Sequence, residues 1–225
     1  ELYPNSSFSM VSDTYDYWNM IDNILPACKE EIMNHNGKLL VRPDSGDIVD
    51  ISIETIKKLW NTFGGTVNSE GYKVLDPHIG IIYGDGCSLN NVDEIWSILK
   101  SLGFAANNIV FGVGAFCFSA IVEDDGHMVV VTRDTFGIAM KATYGEVNGK
   151  PIMIYKDPKT DTSKLKKSHK GCCVVQRDYY DNDLYCIDGF EGIRQNNELR
   201  TVFKDGRIVH RDTFEEIRNR LNGEM

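Results

Sequence analysis

Three short stretches carry residues able to hold a charged sugar. Arg42-Pro43-Asp44-Ser45-Gly46 places a guanidinium and a carboxylate two residues apart. Gly84-Asp85-Gly86 sets a carboxylate between glycines, and Gly112-Val113-Gly114 offers lightly covered backbone amides. Carboxylates such as Asp44 and Asp85 can accept hydrogen bonds from vicinal hydroxyls, or offset positive charge developing at an anomeric carbon. Each can equally cap a following helix, because Asp is a favoured N-cap. Arg42 ends the apolar run Leu39-Leu40-Val41, where an unpaired guanidinium is costly, so it requires an anion from the protein or from a ligand. The glycines let amides approach a phosphate closely, and a tight turn with no ligand is the alternative.

Further cations are weaker candidates of the same sort. Arg133, after the β-rich run Met128 to Thr132, fits a second phosphate clamp or a surface ion pair, and Lys141 and Lys156 follow it. Lys164-Leu165-Lys166-Lys167 reads as a solvated loop or helix end. As a dinucleotide fingerprint the Gly112 stretch is poor, since Cys117 stands where the third glycine belongs. Glu123-Asp124-Asp125-Gly126 lacks a threonine-glycine continuation and reads as a solvated turn. No nucleophile lies beside a histidine, which leaves covalent catalysis without support. The six cysteines form no CxxC pair and the five histidines are scattered, so the thiols read as structural or incidental rather than as a zinc site.

The elements that must position these residues follow from apolar spacing. Phe8 to Val11, Leu39 to Val41, Ile79 to Tyr83 and Asn108 to Phe111 read as strands. Between them, Tyr17, Ile21, Ile24, Cys28 and Ile32 share a helical face, with a kink or break expected at Pro26 and a stop at Asn36-Gly37. Val49, Ile53, Ile56, Trp60 and Phe63 form the stripe of a second helix ended by Gly64-Gly65, and residues 66–77 read as a polar excursion. Val92, Ile95, Trp96, Leu99 and Leu102 line a third helix that stops at Gly103. This alternation predicts parallel strands with helical crossovers, covered on both faces. The loops at the strand C-termini then carry Asp13, Arg42 with Asp44, Asp85, and Gly112 with Gly114 on one edge.

After residue 120 the rhythm becomes antiparallel. Hairpins are expected at Glu146-Val147-Asn148-Gly149, at residues 179–183 and at Lys204-Asp205-Gly206. Thr213-Phe214-Glu215-Glu216 fits a capping box opening a terminal helix. The expected fold is α/β: half of a TIM-like barrel over residues 1–125, holding the site, then an antiparallel β-rich domain with a C-terminal helix over 126–225. The 225 residues suffice for one large core or two smaller ones. A formal charge of −9 argues against a nucleic-acid surface. No apolar run approaches the ~18 residues of a membrane span, and no signal-peptide pattern is present, which together lead to the expectation of a cytoplasmic protein.

Taken as a set, Ser9-Met10-Val11-Ser12-Asp13-Thr14-Tyr15-Asp16, Leu40-Val41-Arg42-Pro43-Asp44-Ser45-Gly46, Gly84-Asp85-Gly86 and Phe111-Gly112-Val113-Gly114 resemble the nicotinamide phosphoribosyltransferase family. Tyr155-Lys156-Asp157-Pro158 and Thr201 to Gly206 continue the match, so that nearly the whole chain is covered and looks like the C-terminal half of the longer family chains. The resemblance implies a type II phosphoribosyltransferase fold working as a homodimer. It implies synthesis of nicotinamide mononucleotide and pyrophosphate from nicotinamide and phosphoribosyl pyrophosphate, with magnesium and with coupled ATP hydrolysis. By motif, Arg42 looks like the arginine near base and pyrophosphate, with Asp44 its partner; these two and Asp85 are the residues expected to be catalytic. Gly84 and Asp85 look like the ribose-binding pair. Gly114 and Ala115 look like the 5′-phosphate glycines, and Arg133 like their arginine partner. Asp13 looks like a carboxylate near the ribose and the magnesium pyrophosphate. The family's glycine-rich run is interrupted here by Ala115 and Phe116. Use of nicotinate or quinolinate, or a non-catalytic half that needs an N-terminal region, are the alternative readings.

Overall fold

The structure is a computed structural model that describes residues 4–114, 118–122, 125–131, 135, 140–162, 164, 166–189 and 196–223. It divides into two compact units: Glu1–Lys141 with Lys156–Ser168, and Ala142–Tyr155 with His169–Met225.

The first unit is built on four parallel strands, β1 (Phe8–Val11), β2 (Leu39–Arg42), β5 (Ile79–Tyr83) and β6 (Ile109–Phe111), in the order β1-β2-β5-β6. Their C-termini share one edge, as the strand–helix alternation predicts. Burial on both faces is approached only at β5, all of which except Ile82 is buried; β2 alternates buried and half-buried residues, and Val11 and Val110 on the outer strands are exposed.

The first helical run follows β1. It comprises α1 (Tyr17–Asn19), a π-helical turn (Met20–Ile24), α2 (Leu25–Ala27) and α3 (Lys29–Met33). Pro26 supplies no N–H and its ring crowds the carbonyl four residues back. The chain meets this with the wider π turn before it, where Leu25 N–H bonds Met20 C=O, and breaks after it at Cys28 (φ −97°, ψ 13°). The helix ends at Met33, short of the expected Asn36-Gly37. Gly37 serves another purpose: a Cβ there would collide with the Ser6 carbonyl.

Helix α4 (Ile48–Phe63) begins at Asp47, whose carboxylate accepts the Val49 and Asp50 amides at 2.9 Å each. Its buried face holds Ile48, Ile51, Ile53, Ile56, Leu59 and Phe63, with Ser52 and Thr55. The stripe is therefore broader than expected, and Val49 and Trp60 fall at its half-buried margin. Burying each such aliphatic side chain contributes on the order of 1.5–3 kcal/mol, enough to hold α4 against the sheet. Residues 66–77 are not simply a polar excursion: β3 (Gly65–Val67) and β4 (Lys73–Leu75) pair as a hairpin whose Asn68 side chain accepts the Glu70 and Tyr72 amides. Helix α5 (Leu89–Ser101) turns Ile95 and Leu99 inward but leaves Trp96 and Leu102 exposed, and ends at Gly103 with φ +72°. β7 (Ala120–Val122) and β8 (Met128–Val130) pair antiparallel through a turn that includes Asp125-Gly126.

The second unit contains β9 (Tyr144–Val147) with β10 (Lys150–Met153), β11 (Val174–Arg177) with β12 (Leu184–Ile187), and β13 (Phe203–Lys204) with β14 (Arg207–Ile208), all antiparallel. Asn148 (φ 52°) and Gly149 (φ 73°) make the two-residue turn that the Asn-Gly pair announces. Helix α6 (Phe214–Asn222) opens with the expected capping box between Thr213 and Glu216. The whole is a mixed α/β chain. No helix among the described residues is long and apolar enough to cross a membrane.

Candidate functional site

The parallel sheet brings Asp13, Arg42, Asp44, Gly84, Asp85 and Gly114 to one edge, each just beyond a strand C-terminus or, for Arg42, at it. The centre of this edge is Asp13. Its carboxylate is fully buried; Oδ2 accepts the Asp44 amide at 3.0 Å and the Ser45 hydroxyl, so the loop after β2 is folded around the loop after β1. Oδ1 is buried without a hydrogen bond. The Lys156 ammonium lies 3.4 Å from Asp13 Oδ1 and 3.6 Å from Asp44 Oδ2, joining the two carboxylates electrostatically.

Lys156 arrives on the segment 156–168, which is stitched to the edge by backbone bonds. Asp157 N–H donates to Thr14 C=O (3.1 Å) and Lys159 N–H to Tyr15 C=O (2.7 Å), while the Thr160 and Ser45 hydroxyls share a 2.6 Å bond. The same segment supplies Lys166, which ion-pairs with Asp85 and whose amide donates to Asp161 at 2.7 Å. The lysine-rich run is thus no mere solvated loop. A cleft of about 330 Å³ opens beside these groups, lined by Ser45, Gly46, Tyr83, Asp85, Asp161 and Lys166 among others.

Two alternatives left by the sequence are settled by the caps. Asp47, not Asp44, caps α4, and Ser88, not Asp85, caps α5 by accepting the Asn91 amide at 3.2 Å. Neither Asp44 nor Asp85 is consumed as a helix cap. Arg42, by contrast, escapes the penalty that its place in the sequence suggests. Its side chain is 43% exposed and lies 3.8 Å from Asp44 Oδ1, so water screens the charge and no buried counter-anion is required.

Gly84 and Gly112 meet face to face. A Cβ on Gly112 would lie 2.8 Å from Gly84 Cα, and the Gly112 amide donates to Tyr83 C=O at 2.7 Å. The close approach of the loops after β5 and β6 therefore depends on Gly112 lacking a side chain, whereas a Cβ on Gly84 would lie at an ordinary 3.4 Å from Gly112 Cα. A Cβ on Gly114 would meet nothing within 4 Å among the described residues. Ala115, Phe116, Cys117 and Arg133 lie outside the described residues. Lys141 is exposed.

Electrostatically the edge alternates in sign: Asp13, Asp44 and Asp85 against Arg42, Lys156 and Lys166. Tyr83 reports the carboxylates. Burial, then the charges of Asp85, Asp13 and Asp44, push its phenol far above the usual tyrosine range, so it remains a donor, here to Gly46 C=O at 3.1 Å. Carboxylate oxygens are the hard ligands that magnesium takes, and Asp13 Oδ1, which accepts no hydrogen bond, faces Asp44 across the Lys156 ammonium whose place a divalent cation would take. Asp13 and Asp44 thus fit a divalent cation chemically.

The nicotinate phosphoribosyltransferase family model matches residues 3–207. The chain is 38% identical to a nicotinamide phosphoribosyltransferase of Acinetobacter baylyi over 98% of its length and 45% of the relative's. It is 36% identical to one of Mycoplasma pneumoniae, over 73% of the chain and 37% of the relative, and 32% identical to one of Xanthomonas campestris, over 96% and 44%. The chain spans less than half the length of these curated relatives.

Proposed function

The chain belongs to the nicotinate phosphoribosyltransferase family, and from that premise we propose that its sheet edge is one corner of a phosphoribosyl-transfer site. The protein would make nicotinamide mononucleotide and pyrophosphate from nicotinamide and phosphoribosyl pyrophosphate. The observation that carries the reading is the pair of uncapping carboxylates, Asp44 and Asp85, each within reach of a cation on the same strand-end surface. One carboxylate alone is ordinary; two, beside a cleft and interleaved with Arg42, Lys156 and Lys166, suit a ribose carrying phosphates.

In this reading the four parallel strands are half of a TIM-like barrel. Asp85, with Gly84, accepts the ribose hydroxyls once Lys166 turns to the phosphates. Asp44 faces the reacting carbon, where loss of pyrophosphate leaves positive charge that a fixed carboxylate stabilises. Arg42, partly exposed and held by the 3.8 Å pairing with Asp44, would turn to meet the departing pyrophosphate. Gly114 with Ala115 would hold the 5′-phosphate, paired by Arg133. Asp13 positions Asp44 through its backbone amide, and Asp13 and Asp44 would hold magnesium, which when bound neutralises the leaving pyrophosphate. The nicotinamide nitrogen is already nucleophilic, so no general base is needed. A homodimer, cytoplasmic location and coupled ATP hydrolysis belong to the same proposal.

The test is nicotinamide mononucleotide formation by the full-length parent protein, with nicotinate supplied in parallel. Asp44→Ala is expected to lower kcat/KM about 10²-fold or more, as for loss of a preorganised charge. Turnover within a few-fold of wild type would remove Asp44 from the chemistry, and exclusive use of nicotinate would reassign the base.

A further inference from the structure

The second unit gathers three metal-ligating side chains, with a fourth, Cys173, as a neighbour of one of them. His169, Cys186 and Asp188 each place a ligand atom so that all three lie within 4.8 Å of one another, with His169 Nδ1 and Asp188 Oδ1 2.6 Å apart. The hairpin explains why. Val175 pairs with Cys186 and Val174 with Ile187, so continuing the ladder by one step sets Cys173 opposite Asp188. Because side chains alternate along a strand, Cys173, Cys186 and Asp188 then share one face.

The hairpin base is closed behind them. Gly189 N–H donates to Lys170 C=O at 2.9 Å, and a Cβ on Gly171 would lie 2.7 Å from Gly189 Cα. That tight crossing carries His169 over the open end of the strand pair. The Cys173 thiol lies close enough to Cys186 to hydrogen-bond it, which brings the second sulfur to the cluster.

We propose that Cys173, Cys186, His169 and Asp188 form a binding site for a zinc-class divalent metal ion. Two thiols, an imidazole and one carboxylate are a borderline-soft set that suits Zn²⁺ and disfavours magnesium or calcium. Tetrahedral zinc with bonds of about 2.0–2.3 Å holds ligand atoms about 3.3–3.8 Å apart, a spacing that the three ligand atoms within 4.8 Å of one another approach. The ion would take the place of the hydrogen bond between His169 and Asp188, displace the two thiol protons, and tie the ends of β11 and β12 to the His169 segment. Spacing hides this site from the sequence: its four residues form neither a CxxC pair nor a Cys–His motif, and only strand register unites them.

The probe is Co²⁺ added to the reduced, chelator-treated chain under anaerobic conditions, followed by absorption spectroscopy. One equivalent is expected to give tetrahedral d–d bands and a thiolate-to-cobalt charge-transfer band, both abolished by Zn²⁺. Cys186→Ser and Cys173→Ser should each reduce the charge-transfer band, and the double variant should lose it. His169→Gln, conservative in size and on the surface, should weaken binding on the order of tenfold or more with unchanged circular dichroism. Absence of a charge-transfer band at saturating Co²⁺ overturns the proposal. So does a band that persists in the Cys173→Ser/Cys186→Ser variant, which would place the thiolate ligands elsewhere. The readout is independent of phosphoribosyl transfer.

Discussion

Replacing Lys156 with methionine tests the electrostatic centre of the sheet edge while keeping most of the apolar stem. At 3.4 Å from Asp13 Oδ1, and with an effective dielectric of ~20, the lysine's gross attraction is about 5 kcal/mol. Removing one member of a buried pair usually costs about 3–5 kcal/mol, because the other charge is left in place. Lys156 is 19% exposed, and Asp13 retains the Asp44 amide and Ser45 hydroxyl, which favours the low end, about 3 kcal/mol. For a chain of this size that corresponds to a melting shift of about 6–12 °C. Urea unfolding followed by tryptophan fluorescence suits the measurement, since Trp18, Trp60 and Trp96 all belong to the unit that holds the pair. Asp13→Asn in the Lys156→Met background should recover part of the loss, with a coupling energy of about 2 kcal/mol or more. A Lys156→Met variant within about 0.5 kcal/mol of wild type, or a strictly additive cycle, would refute the reasoning.

Two further outcomes follow from single contacts. Gly112→Ala should cost about 1–3 kcal/mol in the same unfolding assay by forcing Gly84 away, whereas Gly114→Ala, whose Cβ meets none of the described residues, should stay within about 0.5 kcal/mol; equal effects would mean that the two loops do not meet as described. Hydrogen bonding from Arg220 holds Asp212 below the usual carboxylate range, with His210 and Arg200 adding to it, and the Thr213 amide does the same for Glu216. A carboxylate whose folded value is depressed contributes stability above its ordinary pKa and loses it as pH falls through the folded value, so amide protection in α6 should persist at about pH 5 and fade below about pH 4. Asp212→Asn should remove part of that acid step; an unchanged acid profile would count against the assignment.

What could be read in advance was what depends on local spacing. The strand–helix alternation from Phe8 to Phe111 is a matter of apolar periodicity and glycine stops, and the parallel pairing that aligns Asp13, Asp44 and Asp85 follows from it. The capping box at Thr213 and the Asn148-Gly149 turn are legible for the same reason. The β3–β4 hairpin was not, because Thr66, Val67, Val74 and Leu75 are too few to show alternation against a polar loop. Trp96, about 100° around the helix from the buried Ile95, falls at the margin of the inward face of α5 and stays exposed. The cations were hidden most deeply. Lys166 stands in a lysine run of ordinary appearance, and only the return of residues 156–168 to the sheet edge gives it a partner.

That return constrains how the chain can be cut. The polypeptide leaves the first unit after Lys141, comes back at Lys156 and departs again after Ser168. A gene fragment ending at residue 141 would encode all four of the described parallel strands yet leave Asp13 and Asp85 without Lys156 and Lys166. Neither unit is a contiguous cassette that recombination could lift out by one junction, so the β-rich unit and the sheet edge are inherited together.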